Sequence, residues 1–275
     1  MKILGIETTG SHMGACLWDD FRVRADKSFI DGSGATRSPR LMAALDGVFS
    51  KASFGPHELD ALAVDIGPGR FTGIRLGVSA ARTLAQTLQK PLVEMTSLEV
   101  LAAEGSGWQT GKSFVWNFSE DMVCVLMDAL RGDVYMAVWR FHKLTEKSRR
   151  GVPSGRSYHT FSHHFKLVHA PTLFAFDRFL HFFQSCFQAQ SLLFVGSAAA
   201  RYKKELAKAF GSRARFRPDV LDPKPHWVAA LGSEKFFRRE IKSFTQVRPL
   251  YLRPSYAEEN ASKIPAYPNP VLSQR

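Results

Sequence analysis

The sequence predicts an α/β protein built as two lobes on one plan. Three observations lead there. A succession of strands, helix, strand and helix occurs twice along the chain, and alternation of that kind builds sheets covered by helices. The two runs meet at Gly105-Ser106-Gly107, residues that favour a loop. A length of 275 residues suits two domains. No sequence identity is visible between the runs, so the repeat is one of architecture. The expected division is a first lobe at 1–104, a second at 105–254, and a poorly ordered tail at 255–275 rich in Pro, Ser and Asn.

In the first run, residues 2–7, 12–18 and 21–29 read as strands joined by tight turns, an antiparallel meander. A helix over about 38–54 follows. Ser38 is its expected N-terminal cap and Pro39 fits the first turn. Leu41, Ala44, Leu45, Val48 and Ala52 form its apolar face. Met42 and Phe49 widen that stripe beyond one core contact. Strand 60–66, a Gly-Pro-Gly turn, a helix over about 72–89 capped by Thr72, strand 91–95 and helix 97–104 complete the run.

The second run has strands 123–128 and 133–141 around the turn Ala129-Leu130-Arg131-Gly132. Residues 143–165 are basic and rich in Ser, Gly and His, and read as a long surface excursion. An aromatic helix is expected over 171–187, then strand 192–196 and helices over 197–210 and 226–239.

Composition narrows the classes of function. Apolar content of 45% and charged content of 23% are those of an ordinary soluble protein. No segment approaches the ~18 consecutive apolar residues needed to cross a bilayer. The N-terminal stretch Met1–Glu7 is too short and too soon charged for a signal peptide. Cytoplasm is the expected location. Cys16, Cys124 and Cys186 are odd in number and widely spaced, which reads as free thiols. The net charge of +12 is uneven. Residues 1–104 hold 11 basic and 12 acidic groups, and residues 105–275 hold 26 and 13. A polyanion facing the second lobe is one reading and a merely solvated basic surface is the other.

The most distinctive stretch is Asp65-Ile66-Gly67-Pro68-Gly69-Arg70-Phe71-Thr72-Gly73-Ile74-Arg75-Leu76-Gly77. Gly67 and Gly69 suit a tight turn around Pro68. Gly73, Gly77, Ala81 and Ala85 then recur every fourth residue on the helix. Each helical glycine costs about 1 kcal/mol relative to alanine. That nearly bare face therefore predicts close approach of another backbone, from this chain or a partner. A dinucleotide fingerprint does not fit, because the Gly67-x-Gly69-x-x-x-Gly73 spacing is one residue off and Pro68 removes a donor that phosphate would need.

This stretch resembles the G-P-G-S-F-T-G-[LV]-R-[IV]-G signature of the TsaB family, tRNA threonylcarbamoyladenosine biosynthesis proteins once grouped with glycoproteases. Ile3–Thr9, Asp128–Tyr135, Val195-Gly196-Ser197 and Arg248–Arg253 resemble the family's other motifs in the same order. The likeness covers residues 1–142 and 190–254. It implies an actin/Hsp70/sugar-kinase-like fold of two related lobes. It also implies a non-catalytic scaffold that pairs through helices 38–54 and 72–89 with the catalytic paralogue TsaD, joined by the ATPase TsaE, to form N6-threonylcarbamoyladenosine in tRNA. The interface residues so implied are Leu41, Met42, Leu45, Phe49, Phe71, Thr72, Gly73, Arg75, Leu76, Gly77, Ala80, Ala81 and Leu84, and a homodimer is implied when the chain is alone. The basic second lobe would approach tRNA.

The catalytic paralogue holds its metal with H-x-x-x-H, and Ser97 and Leu101 stand at those positions here. Leucine has no lone pair to offer. The chain is therefore expected to hold no catalytic residue, metal or cofactor of its own, with ATP, Mg and the metal belonging to partner subunits. His159-x-x-x-His163 lies in the irregular stretch, away from the family position, and reads as a surface cluster. Glu7, Thr8, Thr9, Asp128 and Gly196 sit where this fold holds a nucleotide. Glu7 replaces the usual Asp, Gly10 precedes Ser11, and a single Gly196 marks the adenosine loop, so these residues read as a relict cleft. The rival reading is an ATP-dependent kinase or hydrolase of the same fold. A metalloprotease lacks its H-E-x-x-H, and a free-standing RNA-binding protein lacks an aromatic recognition motif.

Overall fold

The computed structural model describes residues 1–20, 22–30, 37–107, 122–141 and 165–254. The excursion at 143–165, apart from residue 165, and the tail at 255–275 lie outside the described residues, as do His159 and His163.

Two five-stranded sheets carry the fold. In the first, β1 (Lys2–Glu7), β2 (His12–Asp19) and β3 (Arg22–Ile30) form the expected antiparallel meander, and β4 (Ala61–Asp65) and β5 (Leu92–Met95) add in parallel on the other side of β1. The order is β3-β2-β1-β4-β5. The second sheet repeats it. β6 (Met122–Asp128), β7 (Asp133–Phe141) and β8 (Phe165–Ala175) are antiparallel, and β9 (Leu192–Val195) and β10 (Ala214–Phe216) are parallel to β6, in the order β10-β9-β6-β7-β8. This is the two-lobed actin/Hsp70/sugar-kinase architecture.

Helices α1 (Arg37–Phe49) and α2 (Phe71–Leu88) cover one face of the first sheet, where Leu41, Ala44, Leu45, Val48, Ile74, Val78, Ala81 and Ala85 join Leu4, Ile6, Leu62 and Val64 in a core. Helices α4 (Phe176–Cys186), α5 (Ser197–Arg201) and α6 (Lys203–Phe210) cover the equivalent face of the second sheet. That core is aromatic. Phe176, Phe179, Phe183 and Phe187 recur at helical spacing, and Phe183 meets Phe187 at 4.4 Å and Phe210 edge-on at 5.7 Å.

Between the sheets lie α3 (Ser97–Gly105) and α7 (Pro225–Phe237), apolar on most sides as a doubly covered helix must be. They cross over. α3, from the first run, packs on β6, β7 and β9, and α7, from the second, packs on β1, β2, β4 and β5. Residues 225–250, assigned to the second lobe by sequence, therefore lie against the first, with Lys242 bridging to Leu92 and Leu250 N–H donating to Ile66 O at 2.8 Å. The approach of α7 is close enough that a Cβ on Gly5 would stand 2.6 Å from Ala229 N.

Four local expectations are corrected. Residues 171–175 are strand, not helix. Pro171 lies in an edge strand where the β7–β8 register shifts, a position that tolerates proline. The helix expected over 197–210 breaks at Tyr202, whose ring stacks on Phe176 at 3.7 Å. Ser38 and Thr72 lie within their helices and do not cap them, and α2 is preceded by Arg70 with no side-chain cap.

The bare face of α2 is corrected as well. Gly73, Gly77, Ala81 and Ala85 are buried in their own lobe. A Cβ on Gly73 would collide with Thr8 O, and one on Gly77 with Thr8 Oγ1. The backbone these residues admit is the turn after β1, where Thr8 Oγ1 donates to Gly73 O at 2.7 Å. Gly77→Leu should then destabilise the isolated chain by about 3 kcal/mol, the cost of overpacking a closed contact. Ser79→Leu, on the exposed side of the same helix, should change the urea midpoint little. Equal midpoints for the two variants would refute the internal packing.

Candidate functional site

A cleft of about 850 Å³ opens between the lobes. One side is the turn after β1 (Thr9, Gly10, Ser11) and the start of α2 (Gly69, Arg70, Phe71). The other is the β6–β7 turn with Met127, Asp128, Arg131 and Tyr135, and Ser197 and Arg253 complete the lining.

The turn after β1 is held by the residue that begins it. Glu7 is fully buried, and its Oε1 accepts from Thr9 N–H at 2.5 Å, Thr9 Oγ1 at 2.8 Å and Gly10 N–H at 3.3 Å. These are the donors that a phosphate in the cleft would need. The extra methylene that distinguishes glutamate from aspartate lets the side chain curl back and occupy them. Gly69 then seats against Thr9 O, 2.6 Å from where its Cβ would be, and Arg70 N–H donates to the same oxygen at 2.9 Å.

Beneath the turn, Glu7 meets a second buried carboxyl. Asp65 accepts from Gly67 N–H (2.8 Å) and Ser97 Oγ (2.8 Å) through Oδ1, and from Thr9 Oγ1 (3.2 Å) through Oδ2. Burial and the neighbouring Asp65 charge push the Glu7 carboxyl well above the usual carboxylate range. Asp65 is also raised, by burial, against the pull of its hydrogen bonds. Glu7 Oε2 is buried and accepts no hydrogen bond. Burial and the neighbouring Asp65 charge favour the protonated form of Glu7, since two carboxylates so close do not both ionise.

Of the predicted cleft residues, only Thr9 and Asp128 line the cavity. Asp128 is neutralised by Arg201 (2.7 Å) and accepts from Leu130 N–H (2.8 Å). Thr8 faces α2, and a Cβ on Gly196 would collide with Leu126 O. Ser97 and Leu101 are fully buried, Ser97 bound to Asp65 and Leu101 in the inter-sheet core. Among the described residues, no three His, Cys, Asp or Glu side chains are grouped to hold a metal ion.

Sequence reasoning missed a clasp at the cleft mouth. Tyr251 stacks on Phe71 at 4.6 Å, and its hydroxyl accepts from Arg75 Nε at 3.0 Å. The Arg75 guanidinium lies 4.0 Å over the Phe71 ring. Two residues on, Arg253 pairs with Asp133 of the second sheet. The aromatic and arginine of the closing Tyr251-Leu252-Arg253 motif were the available signal.

The implied interface residues divide in two. Leu41, Leu45, Gly73, Gly77 and Ala81 are buried in their own lobe, which removes them from any partner surface. Met42, 62% exposed, and Thr72 face outward, Phe49, Leu76, Ala80 and Leu84 are half-buried against the first-lobe core, and Phe71 and Arg75 are engaged by Tyr251.

Comparison with known proteins agrees with this geometry. Residues 35–266 match the family model described as TsaD: tRNA N6-adenosine threonylcarbamoyltransferase. The chain is 31% identical over 141 residues to the tRNA threonylcarbamoyladenosine biosynthesis protein TsaB of Bacillus subtilis (strain 168), a match covering 51% of this chain and 56% of that one. It is 26% identical over 140 residues to the Escherichia coli (strain K12) protein of the same name, covering 51% and 55%. The chain thus spans about half the length of these relatives. The structure of YeaZ from Pseudomonas aeruginosa superposes with a TM-score of 0.64 at 20% identity, covering 91% of this chain and 99% of that one, a likeness of fold.

The proton held by Glu7 sets a pH dependence. A carboxyl whose folded pKa is raised contributes stability that is present at low pH and lost as pH rises through the folded value. The melting temperature should therefore fall as the pH is raised above the ordinary carboxylate range and through the elevated Glu7 value. Glu7→Gln, which keeps a neutral donor toward Asp65, should flatten that decline when the two proteins are melted in parallel. An equal alkaline loss in the variant would refute the shared proton.

Proposed function

The chain belongs to the TsaD family, tRNA N6-adenosine threonylcarbamoyltransferase, and is a TsaB-type member of it; on that premise we propose that it is a non-catalytic scaffold in the formation of N6-threonylcarbamoyladenosine in tRNA. It docks a TsaD-like catalytic subunit on the outer face of α1 and α2, a TsaE-like ATPase completes the assembly, and the chain pairs with itself when alone. The basic second lobe faces tRNA. Nucleotide, Mg and the catalytic metal belong to the partners.

The observation that carries the reading is the pair Ser97 and Leu101. Both stand where the resemblance places metal ligands, and both are sealed in the interior. The use of the Thr9 and Gly10 amides by Glu7 supports the same conclusion for nucleotide. The docking face is supported by what α2 presents outward. Thr72, Ser79 and Thr83 are exposed and small, Leu76, Ala80 and Leu84 are half-exposed over the core, Arg75 and Arg82 are the helix's only charges, and Met42 of α1 is exposed. Such a surface suits close helix packing once its polar rim is excluded from water.

Ala80→Arg should abolish co-purification with the catalytic paralogue while leaving the melting temperature of the isolated chain within a degree or two, because Ala80 is only partly buried. Undiminished co-purification would remove this face from the interface.

The isolated chain should give no heat with Mg-ATP in isothermal titration. Micromolar binding with turnover would replace the scaffold by an ATP-dependent kinase or hydrolase.

A further inference from the structure

We propose that the outer face of α6 and the adjoining edge strand β10 binds the phosphate backbone of a structured RNA. The choice of tRNA as that RNA rests on the function proposed above. The surface itself rests on charge and exposure.

Residues 201–217 contain seven basic side chains and one acidic, Glu205. Three of the seven serve the fold. Arg201 pairs with Asp128 at 2.7 Å, Arg217 forks onto Asp219 at 2.9 and 2.7 Å, and Arg213 donates to Phe187 O at 2.7 Å. Lys203, Lys204 and Lys208 are exposed on α6, and Arg215 is exposed on β10. Lys204 and Lys208 are one helical turn apart on the same side of α6, about 6 Å between Cβ atoms. Lys203 Nζ lies 5.7 Å over the ring of Phe216 on β10, which joins the helix and the edge strand into one face. Arg201, which precedes the first of these lysines by two residues, bonds to Asp128 of the cleft wall.

An anionic membrane would also attract lysines, but a membrane-bound helix needs an apolar side to insert. The apolar side of α6, Leu206 and Phe210, is buried in the second core. What remains exposed is Lys203, Lys204, Ala207 and Lys208 with the single acid Glu205, a net positive face that matches a polyphosphate backbone. Each phosphate neutralised should steepen the salt dependence by slightly under one unit of log K per log salt.

The test uses the full chain and an unmodified tRNA transcript in fluorescence anisotropy over a series of KCl concentrations. Lys204→Glu/Lys208→Glu should weaken binding about tenfold or more and lower the salt slope by about two. Arg22→Glu/Lys51→Glu, the same charge change on exposed first-lobe positions, should do much less. Unchanged affinity in the first variant, or an equal loss in both, would overturn the proposal. So would phosphatidylserine vesicles that bind the chain and respond to the first variant when tRNA does not. The same variant should still co-purify the catalytic paralogue. If wild type fails to retain that paralogue while tRNA binding follows the pattern above, the scaffold reading fails and the RNA surface stands.

Discussion

The carboxyl of Glu7 bends back onto the turn it precedes, and much of the first lobe is arranged around that contact. Its Oε1 gathers the Thr9 and Gly10 amides, which closes the turn. A closed turn presents Thr8 and Thr9 as a ridge. Everything that packs on the ridge must lack a side chain there, so Gly69 meets Thr9, and Gly73 and Gly77 meet Thr8. Arg37 at the start of α1 donates to Thr8 O at 2.9 Å and ties the second surface helix to the same point. The other carboxyl oxygen faces Asp65, which holds the Gly67 amide and, through Ser97, the start of α3. Two buried carboxylates would be prohibitively costly together. One proton on the pair leaves a single negative charge, which the Gly67 amide and the Ser97 hydroxyl solvate at Asp65.

The two lobes are joined more thoroughly than a hinge would require. α3 and α7 each leave the sheet that precedes them and pack on the other, so the inter-sheet core draws on both halves of the chain. The closing segment adds a second tie, from Ile66 through the Phe71–Tyr251 stack to Asp133. Phe71 and Arg75 open α2, and Phe71 also lines the cleft. The start of α2 and the cleft mouth thus share one clasp.

The strands were legible because burial on one or two faces leaves a period that local reading detects: β1 to β7 fall within a residue or two of expectation. Pattern did not settle direction. Pro171 is as good a helix opener as it is an edge-strand residue, and only pairing with β7 decides between them. β10, three residues long, is too short to carry a period. The bare face of α2 was legible as a close contact, but not as an internal one, since a Gly/Ala stripe records that something approaches without recording which chain it belongs to. Glu7 was legible as a departure from aspartate. Its consequence, the capture of its own turn, follows from one methylene of reach that no spacing rule expresses. The Tyr251 clasp joins residues 176 apart, so the closing motif marked an aromatic and an arginine without naming their partners, and the crossing of α3 and α7 left no local trace.

Because the two sheets share one topology, equivalent elements can be compared directly. α2 lies between β4 and β5, and α5 with α6 lies between β9 and β10. In the first lobe this connection is one helix of 18 residues whose exposed and half-buried positions are mostly small, apolar or uncharged polar, with Arg75 and Arg82 its only charges. In the second it is broken into five and eight residues around Tyr202, and its exposed side carries Arg201, Lys203, Lys204 and Lys208 beside Glu205. A long, unbroken helix suits another helix laid along it, because close packing over several turns needs continuity. Short, broken and basic suits a phosphate backbone, which asks for charges at intervals and little shape. The same structural position thus carries different surfaces in the two lobes: one continuous helix in the first, and in the second a broken helix whose exposed side gathers Lys203, Lys204 and Lys208.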